Sequence, residues 1–212
     1  MQSLRTWGGY AGFYMGAAYA VAIVIFLVVL DYPSMVDPAD KIGLLTRATG
    51  MIWASNLLLY VVFSPVLAVF VLAVHDLVRA AEGPARLGRV LGLIWAGLLI
   101  ASGLVANAAI GPITALFASD QAAAIALWTA TNAVADGLGG GAGEVAGGLM
   151  TALFSLAGLR SGTFPKVLAW LGFLVAALGL VSALPGLGDV GAGFGLAQVP
   201  WFIWVGIVLI RS

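Results

Sequence analysis

From Ala11 to Leu30 the chain runs through twenty residues without one charged side chain. A helix of that length rises about 30 Å, the thickness of the hydrocarbon core of a bilayer. Comparable runs place spans at about 10–30, 49–75, 88–112, 138–159, 165–184 and 195–210. Lipid offers the backbone no hydrogen-bond partner, so each span must satisfy its own polar groups, as a helix does. The predicted fold is all-α: a polytopic transmembrane helix bundle of six spans, one integral domain over 1–212. Ser64-Pro65 falls inside the second span, where the missing proline N–H predicts a kink.

Composition carries the same message. Hydrophobic residues make up 62% of the chain and charged residues 8%, against roughly 25% charged in soluble chains. So few charges cannot cover a water-facing surface, and the lipid bilayer is the expected partner. The formal net charge is zero, so nothing attracts nucleic acid. The chain has no cysteine, which excludes thiolate metal sites, iron–sulfur clusters and cysteine nucleophiles. A single histidine, His75, excludes a multi-histidine metal centre within one chain. One histidine can be an axial ligand to haem or chlorophyll, but no second ligand accompanies His75. A helix-end histidine in the polar interface is the plainer reading, and no cofactor or metal is expected.

Orientation follows from the basic residues. With the N-terminus inside, Arg5, Arg79, Arg86, Arg89, Arg160, Lys166 and Arg211 are cytoplasmic. Only Lys41 and Arg47 fall outside, with Asp31, Asp37, Asp40, Asp120 and Asp189. Both termini are then cytoplasmic. Trp7 is expected at the inner headgroup level, and Trp53 and Trp201 at the outer one. The first run is too long for a secretory signal and lacks a clean cleavage site, so it reads as a span.

The stretch near 119–136 fits no span. Ser119-Asp120 makes a good N-cap, and about 16 residues follow. The expectation is an extra short helix, either lying on the outer face or re-entrant.

The fourth span carries the most information. On a continuous helix Asp136 and Glu144 share a face with Gly140, Gly148, Thr151 and Ser155. Gly139, Gly143 and Gly147 form an adjacent small-x-x-x-small row, a device for close helix packing. No lysine or arginine lies within a span to neutralise Glu144. A carboxylate at membrane depth costs about 2–3 kcal/mol or more if unpaired, so it needs a proton, hydrogen bonds, water or a cation. Asn56, Asn107, Asn132, Ser102, Ser182 and Gln198 fall towards the same side, and the inner halves look cleaner. These residues suggest an outward-facing polar pocket with Glu144, Asp136, Asn132, Asn107, Asn56 and Thr151 as ligand-binding candidates. Helix packing with a hydrated interface explains the same residues without a ligand, and both readings stay open.

Other chemistries find little support. The glycine run 137–143 lacks the Lys-Ser/Thr of a phosphate loop. The serines have no histidine at matching depth. The only lysines, Lys41 and Lys166, lie near boundaries. No catalytic residue is expected.

One pattern points to relatives. Gly147-Gly148 is followed by Leu159-Arg160-Ser161-Gly162-Thr163-Phe164-Pro165, then Leu171-Gly172, then Trp201-Phe202-Ile203-Trp204. Over roughly 85–212 this resembles a family of bacterial multi-pass membrane proteins of unknown function. In that family a short basic Gly-x-x-Pro turn joins the fourth and fifth of about six spans. The resemblance implies a six-helix fold in a bacterial inner (plasma) membrane. It implies no activity and assigns no site residues. The functional expectation is a binding or transport protein for a proton, cation or small amphipathic molecule. The alternative is an accessory subunit packing through the glycine-rich span against a partner complex or another copy.

Overall fold

The computed structural model describes residues 2–140, 144–188 and 190–212. Among the described residues there are helices and no strand. Helix α1 (Gln2–Ile23) continues into a π turn at Val24–Val29, and a short 3-10 turn follows at Tyr32–Ser34. Helix α2 (Pro38–Arg47) starts behind Asp37, whose side chain accepts from Ala39 N at 2.8 Å. Helix α3 (Thr49–Asn56), a π turn at Leu57–Val62 and α4 (Phe63–Val78) form one rod. Helix α5 is Glu82–Ser119 and α6 is Gln121–Ala135. A π turn at Asp136–Gly140 precedes α7 (Val145–Ser161). Helices α8 (Lys166–Ser182) and α9 (Val190–Arg211) complete the chain.

The π turn at Leu57–Val62 lies just ahead of Pro65, where the distortion was expected. Proline cannot donate to the carbonyl one turn back. The Ser64 hydroxyl donates instead to the Tyr60 carbonyl at 2.6 Å, tying the irregular turn to the helix that follows.

Six helices close a ring. Helix α1 packs on α4 and α9, α5 sits between α4 and α7, and α8 sits between α7 and α9. The start of α1 meets the end of α4 through an Arg5 Nε to Asp76 Oδ2 ion pair of 2.9 Å, with Arg79 3.6 Å from the other carboxylate oxygen. Arg86, Arg160, Lys166 and Arg211 lie at helix ends on this same side, which we call the basic end. Lys41 and Arg47 lie on α2 at the opposite, cap end.

The ring is filled by rings. Phe63, Phe70, Trp95, Phe194, Trp201 and Phe202 are fully or almost fully buried. They meet mostly edge to face at centroid distances of 5.3–6.4 Å. Trp201 is thus not a boundary anchor as its place in the sequence suggested. It faces inward on α9, against Phe70. Trp7 and Trp53 remain exposed, as interfacial rings would be. The seam between α1 and α9 is backbone against backbone. A Cβ at Gly12 would lie 2.7 Å from the Phe202 carbonyl, and one at Gly206 would lie 2.8 Å from the Gly9 carbonyl. Only glycine permits that approach.

Four helices are long and apolar enough to cross a membrane: Ser3–Val29, Thr49–Val78, Glu82–Ser119 and Val190–Arg211. Helices α7 and α8 are apolar but only 17 residues each, about 26 Å at 1.5 Å per residue. Helix α5, at 38 residues, reaches about 57 Å, far beyond the 88–112 expected. Its far end leaves the ring and joins α2 and α6 in a second cluster of Ile42, Leu45, Ile110, Ile113 and Ala124.

Helix α6 folds back on α5. Asp120, the one residue between α5 and α6, has an extended backbone and caps α6 by accepting from Ala123 N at 3.0 Å. The chain therefore reverses, and α6 runs back along α5 until the Ser102 hydroxyl meets the Ala135 carbonyl at 2.9 Å. Its apolar face is covered by α5 and α2. The 138–159 span is not continuous either. Gly139 sits at φ 128°, a conformation open to glycine and costly for other residues. Helix α7 proper begins at Val145.

Candidate functional site

Beneath the cap lie two adjoining chambers. The upper one, about 810 Å³, is bounded by Tyr32, Lys41, Asn56, Ser102, Asn132 and Asp136, with apolar side chains between them. The lower one, about 320 Å³, reaches Tyr19, Phe63, Leu99, Gly139, Glu144 and Gly195. Phe26, Leu27, Tyr60 and Ala192 line both, so the chambers share a wall. Each of the three π turns contributes: Phe26 and Leu27 from the first, Leu59 and Tyr60 from the second, Asp136 and Gly139 from the third. One extra residue per turn widens a helix and re-aims its side chains, which is why π turns gather at functional sites. Here they bow three helices around one space.

The candidate residues divide between the two chambers. Asn56 Nδ2 donates to Asn107 Oδ1 at 3.0 Å, and Asn107 Nδ2 donates to the Trp53 carbonyl at 3.3 Å. Asn56 therefore faces the upper chamber with Asn107 bracing it from behind. Asn132 Nδ2 donates to Asp136 Oδ2 at 2.6 Å, one turn along the same helix. Glu144 stands at the end of the lower chamber, on the turn that opens α7. Its Oε2 is buried and has no hydrogen-bond partner among the described residues. Asp136 and Glu144 thus line adjoining chambers despite the broken helix, the upper and the lower one.

Thr151 lies elsewhere. It is fully buried, donates to the Gly147 carbonyl at 2.8 Å and accepts from Gln198 Nε2 at 3.3 Å. It bridges α7 to α9 nearer the basic end and does not line the cavity. With Gln198, Ser155 and Trp201 it forms a buried polar seam between α7 and α9. Of the packing row, Gly147 lets Trp95 approach to within 2.7 Å of where a Cβ would stand, while Gly139 serves as the break. Gly143 lies outside the described residues.

Lys41, Tyr19 and Tyr60 line the chambers but were not among the candidates. Lys41 Nζ lies over the rings of Tyr32 (4.8 Å to the centroid) and Trp128 (5.8 Å), placing an ammonium at the upper chamber. Tyr19 and Tyr60 line the lower one. Tyrosine in the middle of an apolar run was the available signal, since a buried phenol seeks a polar partner. The Lys41 placement depends on how α2 folds over the ring, which no local pattern announces.

Among the described residues no group of three or more histidine, aspartate or glutamate side chains gathers to hold a metal ion. What the arrangement offers is a polar vestibule above an aromatic chamber with a single carboxyl group. Comparison with protein-family models, curated proteins and solved structures finds no match. The functional reading therefore rests on site geometry.

Proposed function

We propose that this is a six-span inner-membrane protein of binding or transport type. Its cavity opens at the outer face, and Glu144 receives a proton, a cation or the charged part of a small amphipathic molecule. The ring arrangement supports six spans, because α7 and α8 fill the places between α5 and α9 that a closed bundle requires. Their length of about 26 Å suits a slightly thinned bilayer. Seven basic residues at one end support an N-in, C-in orientation.

The observation that carries the reading is the Glu144 carboxyl, which lines a chamber of about 320 Å³ and has an oxygen without a hydrogen-bond partner among the described residues. A packing element would satisfy or avoid such a group, whereas a binding site leaves it free. The accessory-subunit alternative has less support. Gly147 and Gly148 already pack on Trp95 and on the Ala176 carbonyl of the same chain, so that face is not offered to a partner.

Carbodiimide modification tests the proposal. Dicyclohexylcarbodiimide should modify Glu144 in the purified protein, read by mass spectrometry. At least one of sodium chloride, raised pH and tetraphenylphosphonium chloride should suppress it. A Glu144 that no cation and no pH change protects would overturn the proposal.

A further inference from the structure

The lower chamber is narrow in its chemistry. Around Glu144 stand the rings of Tyr19, Phe26, Tyr60 and Phe63, with Leu59 and Leu99 between them. Glu144 is the one charged side chain among the described residues that line it. An inorganic divalent cation would want about six oxygen ligands, and the chamber's polar side chains amount to one carboxyl and two phenols. An anion would meet the Glu144 charge. A neutral apolar molecule would leave the Glu144 oxygen buried and unpartnered, a cost that binding would not relieve. A proton alone would have no use for aromatic walls.

A single positive charge on a bulky apolar body answers every wall of this space. The charge meets the carboxyl group, ring faces attract it further, and the apolar substituents leave water for the chamber surface. The vestibule holds a covalent example of the same recognition. The Lys41 ammonium rests over Tyr32 and Trp128, in the chamber that Asp136 also lines. We infer that the lower chamber binds a lipophilic organic monocation, of the quaternary ammonium or phosphonium kind, held by Glu144 and the surrounding aromatic rings. This rests on the cavity being a ligand site, as proposed above, and names what the site selects.

Calorimetric titration of the full-length protein in detergent tests it, with tetraphenylphosphonium chloride as the probe. Triphenylphosphine oxide serves as the neutral comparison, and sodium chloride as the competitor. Saturable binding is expected, weakened at least about tenfold by Glu144→Gln, because a buried charge pair loses one member. The neutral compound should bind weakly and equally to both proteins, and sodium should not compete. Wild-type protein provides an arm that needs no variant: tetraphenylphosphonium should protect Glu144 from carbodiimide at concentrations where sodium does not. Equal binding of the neutral compound, or binding unchanged by Glu144→Gln, overturns the inference. Protection by sodium or raised pH without protection by tetraphenylphosphonium overturns it while sparing the cavity reading. Protection by none of the three overturns both.

Discussion

Single residues divide into those that shape the bundle and those that face its cavity. Gly12 belongs to the first group. Gly12→Ala would set a Cβ 2.7 Å from the Phe202 carbonyl, so α1 and α9 must separate. The expected loss is about 1–3 kcal/mol, seen as a lower midpoint of thermal unfolding in detergent. Gly97→Ala, where a Cβ meets nothing within 4 Å, is the control and should be neutral or stabilising by up to about 1 kcal/mol. Glu144 belongs to the second group. Glu144→Gln should keep the unfolding midpoint near or above that of wild type, since it replaces a buried carboxyl group that has an oxygen without a partner among the described residues. A collapse of the fold on that change would mean that Glu144 holds structure. The sequence identified Glu144, Asp136, Asn132 and Asn56 because a polar group inside an apolar run is conspicuous. It did not identify Lys41 or the α1 glycines. Gly8, Gly12 and Gly16 repeat at four-residue spacing, the same pattern read in the fourth span, but their partner α9 is distant in the chain. Trp201 was misplaced for a related reason: a ring near a run's end looks interfacial until the facing helix is known.

Helices were legible by hydropathy, and their irregularities were not. Glycine and proline marked the weak points, yet a π turn at Val24–Val29 has neither. It arises where α1 yields to the cavity and the cap, a tertiary effect on a run of β-branched residues. The break before α7 is testable. Gly139→Ala forces a side chain to φ 128° at a cost on the order of 1–3 kcal/mol. It should lower stability more than Gly137→Ala, whose Cβ would meet nothing within 4 Å; equal midpoints would contradict a left-handed Gly139. Helix α6 depends on its cap. Asp120→Ala removes the bond to Ala123 N, worth about 1 kcal/mol. It should speed amide exchange in the first turn of α6, with little change in α7. The sequence placed a cap at Ser119-Asp120 but could not say that α6 would turn back along α5. Direction depends on the apolar faces of Ile113 and Ala124 meeting, and those residues come together only in the fold.

For the whole molecule, the ring of six helices, the cap and the two adjoining chambers make one asymmetric object. It is basic at one end, and carries α2 and α6 over the upper chamber at the other. Charge distribution along the sequence already carried this polarity, because lysine and arginine sort by side. The cavity was less legible, since residues from three separate irregular turns line it. The chain has no cysteine, so single introduced thiols report on access without background. The most direct measurement is the reaction of Glu144→Cys with a small, membrane-impermeant, positively charged methanethiosulfonate in sealed vesicles of known orientation. The thiol should react from the face that bears α2 and α6, slowly from the basic face, and more slowly from the open face once tetraphenylphosphonium is present. A thiol that reacts only with lipid-soluble maleimide, or only from the basic face, would contradict a cavity that leads from the cap to Glu144.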